Sequence, residues 1–332
     1  MATYKEIKGT QIQAVATDPS NPVEGQVWYN TTSQVLKGSK GALIGSWSTV
    51  NSINNQRYYL AGAGTQTAAL GFGGRPPSGT PSGGNFSAQT ESWNGTNWTE
   101  VNDLNNSRQA VSGAGASNTA ALCFGGNPAP PNPKAHTELW NGTNWTEVNN
   151  LNTGREIAAG GGTSTAALMF GGTTQTAPAA NNESWNGTNW TELADLNTAR
   201  YFIAGSVSST SSALGFGGEN PPNKAITESW NGSSWTEVND LNSARIAMAI
   251  GACGTAPAAL AIGGNDGSIT GKTELWNGSN WSEQNDLNTA RTVAGCAGAP
   301  TAALAFGGNE PPQSFAAEAW TEAGGVVTFT DS

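Results

Sequence analysis

The residues best suited to chemistry in this chain recur at intervals and do not gather at one place. Arginine stands at Arg57, Arg108, Arg155, Arg200, Arg245 and Arg291, and glutamate at Glu91, Glu138, Glu183, Glu228, Glu274 and Glu318, one of each per stretch of about 46 residues. A ring of arginines could hold an anion. Identical placement in every copy favours a structural role instead, an arginine paired with a carboxylate once per copy. Glycoside hydrolysis needs a distinguished pair of carboxylates facing a cleft, and none of these glutamates is set apart from the others.

His136, in the Pro-rich stretch NPAPPNPKAHT, is the one histidine. A multi-histidine metal site or a Ser-His-Asp triad therefore has little to draw on, and His136 reads as a surface residue. Cys123, Cys253 and Cys296 are widely spaced among small or apolar residues. That pattern is neither a disulfide framework nor a metal knuckle, and reads as three buried thiols. The recurrent Asn-Asp-Leu-Asn phrase lacks the spacing of a calcium loop. The N-x-S/T triplets, such as the one at Asn94, fall in turns that already call for Asn, and are not read as glycan acceptors. No catalytic residue, metal or cofactor is expected, and the chain is read as a non-enzyme.

A formal charge of −10 and the absence of a basic surface speak against nucleic acid. The opening MATYKEIKGTQIQAV has no apolar core, and nowhere do eighteen apolar residues run together. A protein with no secretory signal and no membrane insertion is expected.

The elements that place these residues are legible from self-similarity. Paired glycines begin at Gly73, Gly125, Gly171, Gly217, Gly263 and Gly307, giving six copies 44 to 52 residues apart. Each pair closes an apolar run such as TAALGFGG, too short for a stable helix and so a buried strand. A variable stretch follows, then Glu-x-Trp, then Asn-Gly, and a second Trp five residues after the first. Asn-Gly between apolar positions signals a hairpin, because both residues tolerate positive φ. After the second Trp comes TEVNDLN or similar, and then the arginine, followed by small residues that suit an innermost strand. One repeat is thus four strands, a to d: the arginine opens a, the glycine pair closes b, and the tryptophans lie on c and d. That is the make-up of a propeller blade.

The interval from second Trp to Arg is ten residues each time, from Trp47–Arg57 to Trp281–Arg291. Trp47 thus marks a strand d without its own strand c, while Trp320 marks a strand c without a strand d. A strand around Ser46 to Val50 is expected to complete the last blade, closing the ring and removing exposed edges.

These residues resemble the kelch repeat over about residues 43 to 320: the double glycine after strand b, an aromatic and a Trp about six residues apart, and the Arg near the next strand a. Trp where kelch repeats usually carry Tyr is the departure. Kelch-like propellers also occur in galactose oxidases, whose copper site uses two histidines and tyrosines, one cross-linked to cysteine; this chain lacks those ligands. The expected fold is all-β: a six-bladed kelch-type β-propeller at 43–320, an N-terminal β-hairpin extension at 1–42 and a C-terminal tail at 321–332.

Compared with one another, the copies diverge between the glycine pair and the Glu, where b-to-c loops of 9 to 16 residues share no content. These should emerge on the same face as the d-to-a connections, and a binding function should concentrate there. The candidate contacts are Arg75, Phe86, Lys134, His136, Lys224, Asp266, Lys272 and Phe315.

Residues Gly25–Asn30 and Gln34–Gly38 read as two short strands around a polar turn. The phrase PSNPVEGQVWYNTTSQVLKG resembles a segment of tail-fibre and other structural proteins of bacteriophages, marine ones especially. It implies a virion surface component, a tail fibre, appendage or capsid protein. Its N-terminal segment would join other virion proteins, and its loops would meet a host-surface protein or glycan, or a neighbouring subunit. Two further readings are a cellular kelch module gripping a protein partner and a secreted carbohydrate-active enzyme.

Overall fold

A computed structural model describes residues 12–19, 26–39, 44–77, 86–128, 135–174, 177–251, 253–309, 315–322 and 326–328. The chain divides into two compact units, one of Met1–Gly45 with Glu322–Ser332, the other of Ser46–Thr321.

The first unit holds β1 (Gln13–Val15), β2 (Val27–Asn30) and β3 (Val35–Ser39). The second begins with β4 (Ser46–Val50) and continues with β5 (Ala61–Thr65), β6 (Ala68–Phe72), β7 (Thr90–Trp93) and β8 (Trp98–Val101). Next come β9 (Ser112–Ser117), β10 (Ala120–Phe124), β11 (Thr137–Trp140) and β12 (Trp145–Val148), then β13 (Ala159–Thr163), β14 (Ala166–Phe170), β15 (Asn182–Trp185) and β16 (Trp190–Leu193). They are followed by β17 (Ala204–Ser209), β18 (Ser212–Phe216), β19 (Thr227–Trp230) and β20 (Trp235–Val238), then β21 (Gly254–Thr255), β22 (Ala258–Ile262), β23 (Thr273–Trp276) and β24 (Trp281–Glu283). The last of this unit are β25 (Gly295–Ala299), β26 (Ala302–Phe306) and β27 (Ala317–Thr321), and β28 (Val326–Thr328) belongs again to the first unit.

These strands make seven four-stranded sheets. Six lie in the second unit, each an antiparallel meander such as β5-β6-β7-β8, and together they have the architecture of a β-propeller. The sixth is β25-β26-β27-β4, in which Trp320 is paired with Trp47 and Glu318 with Thr49. Its outer strand therefore comes from the opposite end of the unit's sequence. The seventh sheet, β1-β2-β3-β28, belongs to the first unit, with β1 parallel to β2 and β2-β3 an antiparallel hairpin. Residues 321–332, expected as a tail, thus contain the end of β27 and a strand, β28, registered against β3.

The first strand of each sheet packs against the first strand of the next, and β25 packs on β5. Small residues make this approach possible: a Cβ on Gly113 of β9 would stand 2.8 Å from the Gly62 carbonyl oxygen of β5. Neighbouring sheets are joined by rings, Phe72 against Trp145 at 5.1 Å, Phe124 against Trp190 at 5.0 Å, and Phe306 against Trp98 at 4.8 Å between centroids. Such aromatic pairs add about 0.5–1.5 kcal/mol each beyond the apolar area they bury.

The outer hairpins form at Asn-Gly as expected, but only one of the two residues takes positive φ. Four residues, Asn94 to Asn97, separate Trp93 from Trp98, and only Gly95 takes positive φ, at 92°. The Asn94 side-chain oxygen accepts from the amides of Thr96 at 2.9 Å and Asn97 at 2.8 Å, so asparagine serves here as a side-chain turn former.

Candidate functional site

The repeated arginines do not open the first strands. Arg57 precedes Ala61 of β5, in the d-to-a connection, and its side chain is fully buried, as is that of Glu91 on β7. Arg57 Nη2 donates to Glu91 Oε1 at 2.8 Å, and Arg57 Nη1 to the carbonyls of Gly73 and Gln89 at 3.1 and 2.5 Å. The other carboxylate oxygen accepts the Asn54 amide at 2.7 Å. The ion pair repeats as Arg108–Glu138 at 3.0 Å, Arg155–Glu183 at 3.3 Å, Arg245–Glu274 at 2.7 Å, Arg291–Glu318 at 2.5 Å, and Arg200–Glu228. Burial pulls the pKa of Arg57, Arg155, Arg200 and Arg245 below the ordinary guanidinium value, and the paired glutamate opposes it. Each charge is balanced inside the protein, so this set ties the d-to-a connection to strand c and offers nothing to an anion.

The glycine pair completes the same junction. Gly73 has φ 66° and a Cβ there would meet the Arg108 carbonyl at 2.9 Å, while the Gly74 amide donates to that carbonyl at 2.8 Å. Only glycine fits a backbone this close at positive φ.

Two residues after each arginine the backbone turns left-handed without glycine: φ is 57° at Tyr59, 55° at Ala110, 48° at Ile157, 53° at Phe202, 55° at Ala247 and 47° at Val293. A left-handed L-residue costs roughly 1–2 kcal/mol. The offset is a chain of hydrogen bonds. The amide of Ala110 donates to Tyr59, Ile157 to Ala110, Phe202 to Ile157, Ala247 to Phe202, Val293 to Ala247, and Tyr59 to Val293, at 2.7 to 3.3 Å. The series returns to its first member.

Just outside it, the residue one after each arginine forms an antiparallel bridge with the residue after each glycine pair. The partners are Tyr58–Arg75, Gln109–Asn127, Glu156–Thr173, Tyr201–Glu219, Ile246–Asn265 and Thr292–Asn309. This joins the d-to-a connections to the starts of the b-to-c loops at one end of the sheets. The two sets of bonds define a mouth whose side chains vary among the copies while the backbone beneath them is constant.

Four aromatic rings cross this mouth in a row. Tyr58 lies 5.3 Å from Tyr59, Tyr59 lies 6.2 Å from Phe202 at an interplanar angle of 26°, and Phe202 lies 5.4 Å from Tyr201. Tyr59 and Phe202 belong to copies three apart, on opposite sides of the cycle. All four side chains are partly exposed. Burial pushes the Tyr59 hydroxyl above its usual range; Tyr58 and Glu156 add to that and Arg75 opposes it. Tyr201 is raised by desolvation first, and the neighbouring Glu219 carboxylate adds to it. Desolvation raises Glu156 too, against an Asn127 amide contact at 3.4 Å. Beside the row, Ile157, Phe202, Ala247 and Ile250 contribute to a small apolar hollow.

The candidate residues named from sequence spread around this end. Arg75 is in the mouth, bridged to Tyr58. Lys272 Nζ meets Asp266 Oδ2 at 2.7 Å and Ser243 Oγ at 3.2 Å, so these two candidates are brought together. The carbonyls of His136 and Lys272 accept from Arg108 and Arg245, both at 2.7 Å, and the Lys224 amide donates to Gly218. For those three residues the backbone serves the scaffold. Phe86 is partly buried, Phe315 is exposed, and Lys134 lies outside the described residues. Sequence reasoning missed Tyr58, Tyr59, Glu156, Tyr201, Phe202 and Glu219. The signal was available, because the residues one and two after the arginine read Tyr-Tyr, Gln-Ala, Glu-Ile, Tyr-Phe, Ile-Ala and Thr-Val across the copies.

Among the described residues there is no cluster of three or more His, Cys, Asp or Glu able to hold a metal ion, and no helix long and apolar enough to cross a membrane. No family model and no curated protein matches the chain. Among solved structures, one described as "Structure of YjhT" matches with a TM-score of 0.65 and 11% identity, covering 85% of this chain and 99% of that one. At that identity the likeness concerns the fold alone.

Proposed function

We propose that residues 46–321 form a closed six-bladed propeller of kelch type, and that the protein is a non-enzymatic binding module taking its partner at the mouth face. Two observations support the closed ring: the cycle of six backbone hydrogen bonds returns to Tyr59, and β4 completes the sheet of β25-β26-β27. The observation that carries the binding reading is the division of labour within each copy. Arginine, glutamate, the glycine pair and the tryptophans repeat and are buried inside, whereas the residues that vary collect at one end of the sheets.

The biological setting rests on the N-terminal phrase PSNPVEGQVWYNTTSQVLKG and its resemblance to phage structural proteins. On that basis the module is a virion appendage or adhesin, with residues 1–42 as the attachment to other virion proteins and the loops directed at a host receptor or a neighbouring subunit. Ser46 and Thr321 are paired at the strand ends opposite those that carry Arg75 and Phe315.

The test is mass spectrometry and cryo-EM of particles purified from a phage encoding the protein. Presence on the particle with the mouth face outward is the expected result. Absence from the particle removes the virion setting, and a mouth face sealed against the capsid removes receptor binding.

A further inference from the structure

We infer that the aromatic row Tyr58–Tyr59–Phe202–Tyr201 is a stacking platform for a neutral oligosaccharide, with Glu156 and Glu219 as hydroxyl-binding groups at its edge. The inference rests on the mouth-face reading above and names its ligand class.

Three features select this chemistry. First, the row carries polar groups at both ends, Arg75 bridged to Tyr58 and Glu219 bridged to Tyr201. Its four rings are only partly exposed, so they do not form the broad, fully exposed apolar patch a protein partner would cover. Second, the charges exclude an anion. Glu156 and Glu219 stand beside the rings with Arg75 as the nearby cation, in a chain of net charge −10. Third, the spacing excludes a cage. Contact on both faces of an inserted group requires about 3.5–4.0 Å on each side, or about 7 Å between rings. Tyr59 and Phe202 are 6.2 Å apart, so nothing inserts between them and a ligand must lie along the row.

A sugar ring meets each of these conditions. Its apolar face packs on an aromatic ring, and its hydroxyls donate to carboxylates and exchange hydrogen bonds with amides such as Asn127, the combination of apolar wall and few fixed polar groups that typifies small-ligand sites. The partly desolvated Glu156 suits a neutral donor better than water-exposed carboxylates do, because a hydrogen bond formed away from bulk water is stronger.

The test uses cellohexaose, maltohexaose, mannohexaose and chitohexaose as probes in calorimetric titrations, with tetramethylammonium and sialyllactose as cationic and anionic comparisons. The variants are Tyr59→Ala and Phe202→Ala, which the fold accommodates since alanine already holds this position at Ala110 and Ala247, and Glu147→Ala at an exposed position on the outer strand β12. The expected result is binding of at least one neutral hexasaccharide, weakened about tenfold by either row substitution and unchanged by Glu147→Ala.

Binding of none of the four, binding indifferent to the row substitutions, or a response to tetramethylammonium or sialyllactose alone overturns the inference. If attachment of the protein to host cells is then lost on substituting Phe315 or Asp266 and kept on substituting the row, the mouth-face reading stands and only the saccharide assignment falls. If no substitution on this face alters attachment, both fall.

Discussion

Trp98 and Ala317 share one buried cluster across the junction of the first and last sheets, and Trp98 Nε1 has no hydrogen-bond partner. In four other copies the corresponding indole donates to a threonine of the preceding sheet: Trp47 to Thr273, Trp145 to Thr90, Trp190 to Thr137 and Trp281 to Thr227, at 2.9 to 3.0 Å. Alanine at 317 removes the acceptor where the two ends of the unit's sequence meet. A buried donor without a partner costs about 1–3 kcal/mol. Ala317→Thr is therefore expected to stabilise the protein by about 1 kcal/mol, read as a higher denaturation midpoint at unchanged slope. An unchanged or lower midpoint would mean that the added methyl overpacks the site. Asn182 occupies the same position opposite Trp235, with Trp235 Nε1 and Asn182 Oδ1 both unpartnered, and Asn182→Thr should act in the same direction.

The Arg108–Glu138 pair is buried on both sides, so removing one charge strands the other. Arg108→Met should cost about 3–5 kcal/mol. Glu147, paired with Glu138 across the sheet but exposed, should change stability by no more than about 0.5 kcal/mol when replaced by alanine. Equal losses in denaturant titrations would contradict the internal role assigned to the repeated pair.

The three thiols are free and buried. Burial pushes Cys123 up to about 12, with Glu138 adding and Arg108 opposing, and burial pushes Cys253 well above the ordinary thiol value, with the neighbouring Cys296 thiol adding to it. Thiolate is the reactive form. Iodoacetamide at pH 8 should modify none of the three in the folded protein and all three after unfolding, counted by intact mass. Modification of Cys253 without denaturant would reveal opening of the inner strands.

In the first unit, Asp18 accepts from Lys37 Nζ at 2.6 Å, Trp28 Nε1 at 3.0 Å and Asn30 Nδ2 at 2.6 Å. Its pKa falls to about 2 from 3.8, through the Lys37 hydrogen bond first and those of Trp28 and Asn30 next. A carboxyl with a folded value below its unfolded one stabilises above the unfolded value and loses that contribution as pH falls through the folded one. The Trp28 indole N–H resonance should therefore hold its position down to pH 3 and move near pH 2, and in Asp18→Asn it should not titrate. A midpoint near pH 4 would show that these bonds do not form in solution.

The repeat, the four strands of each copy and their order were legible because they rest on local rules. Gly73–Gly74 is written by the positive φ it must adopt, β6 by an apolar run too short for a helix, and the hairpin by Asn94-Gly95. The partner of Trp47 was legible as well, since strand d without strand c at one end and strand c without strand d at the other leave complementary gaps.

The mouth was harder to find. The b-to-c loops announced themselves by varying in length, but Tyr59 and Phe202 vary at fixed length inside a regular interval, and 143 positions of sequence separate them. Whether they meet depends on how many copies stand between them and on each first strand's small residues letting its neighbour approach. Local spacing therefore specified the parts, down to the arginine and glutamate of each internal pair. The row of rings at the mouth came from tertiary structure alone, because only the series of backbone hydrogen bonds linking the copies brings residues of the first and fourth together.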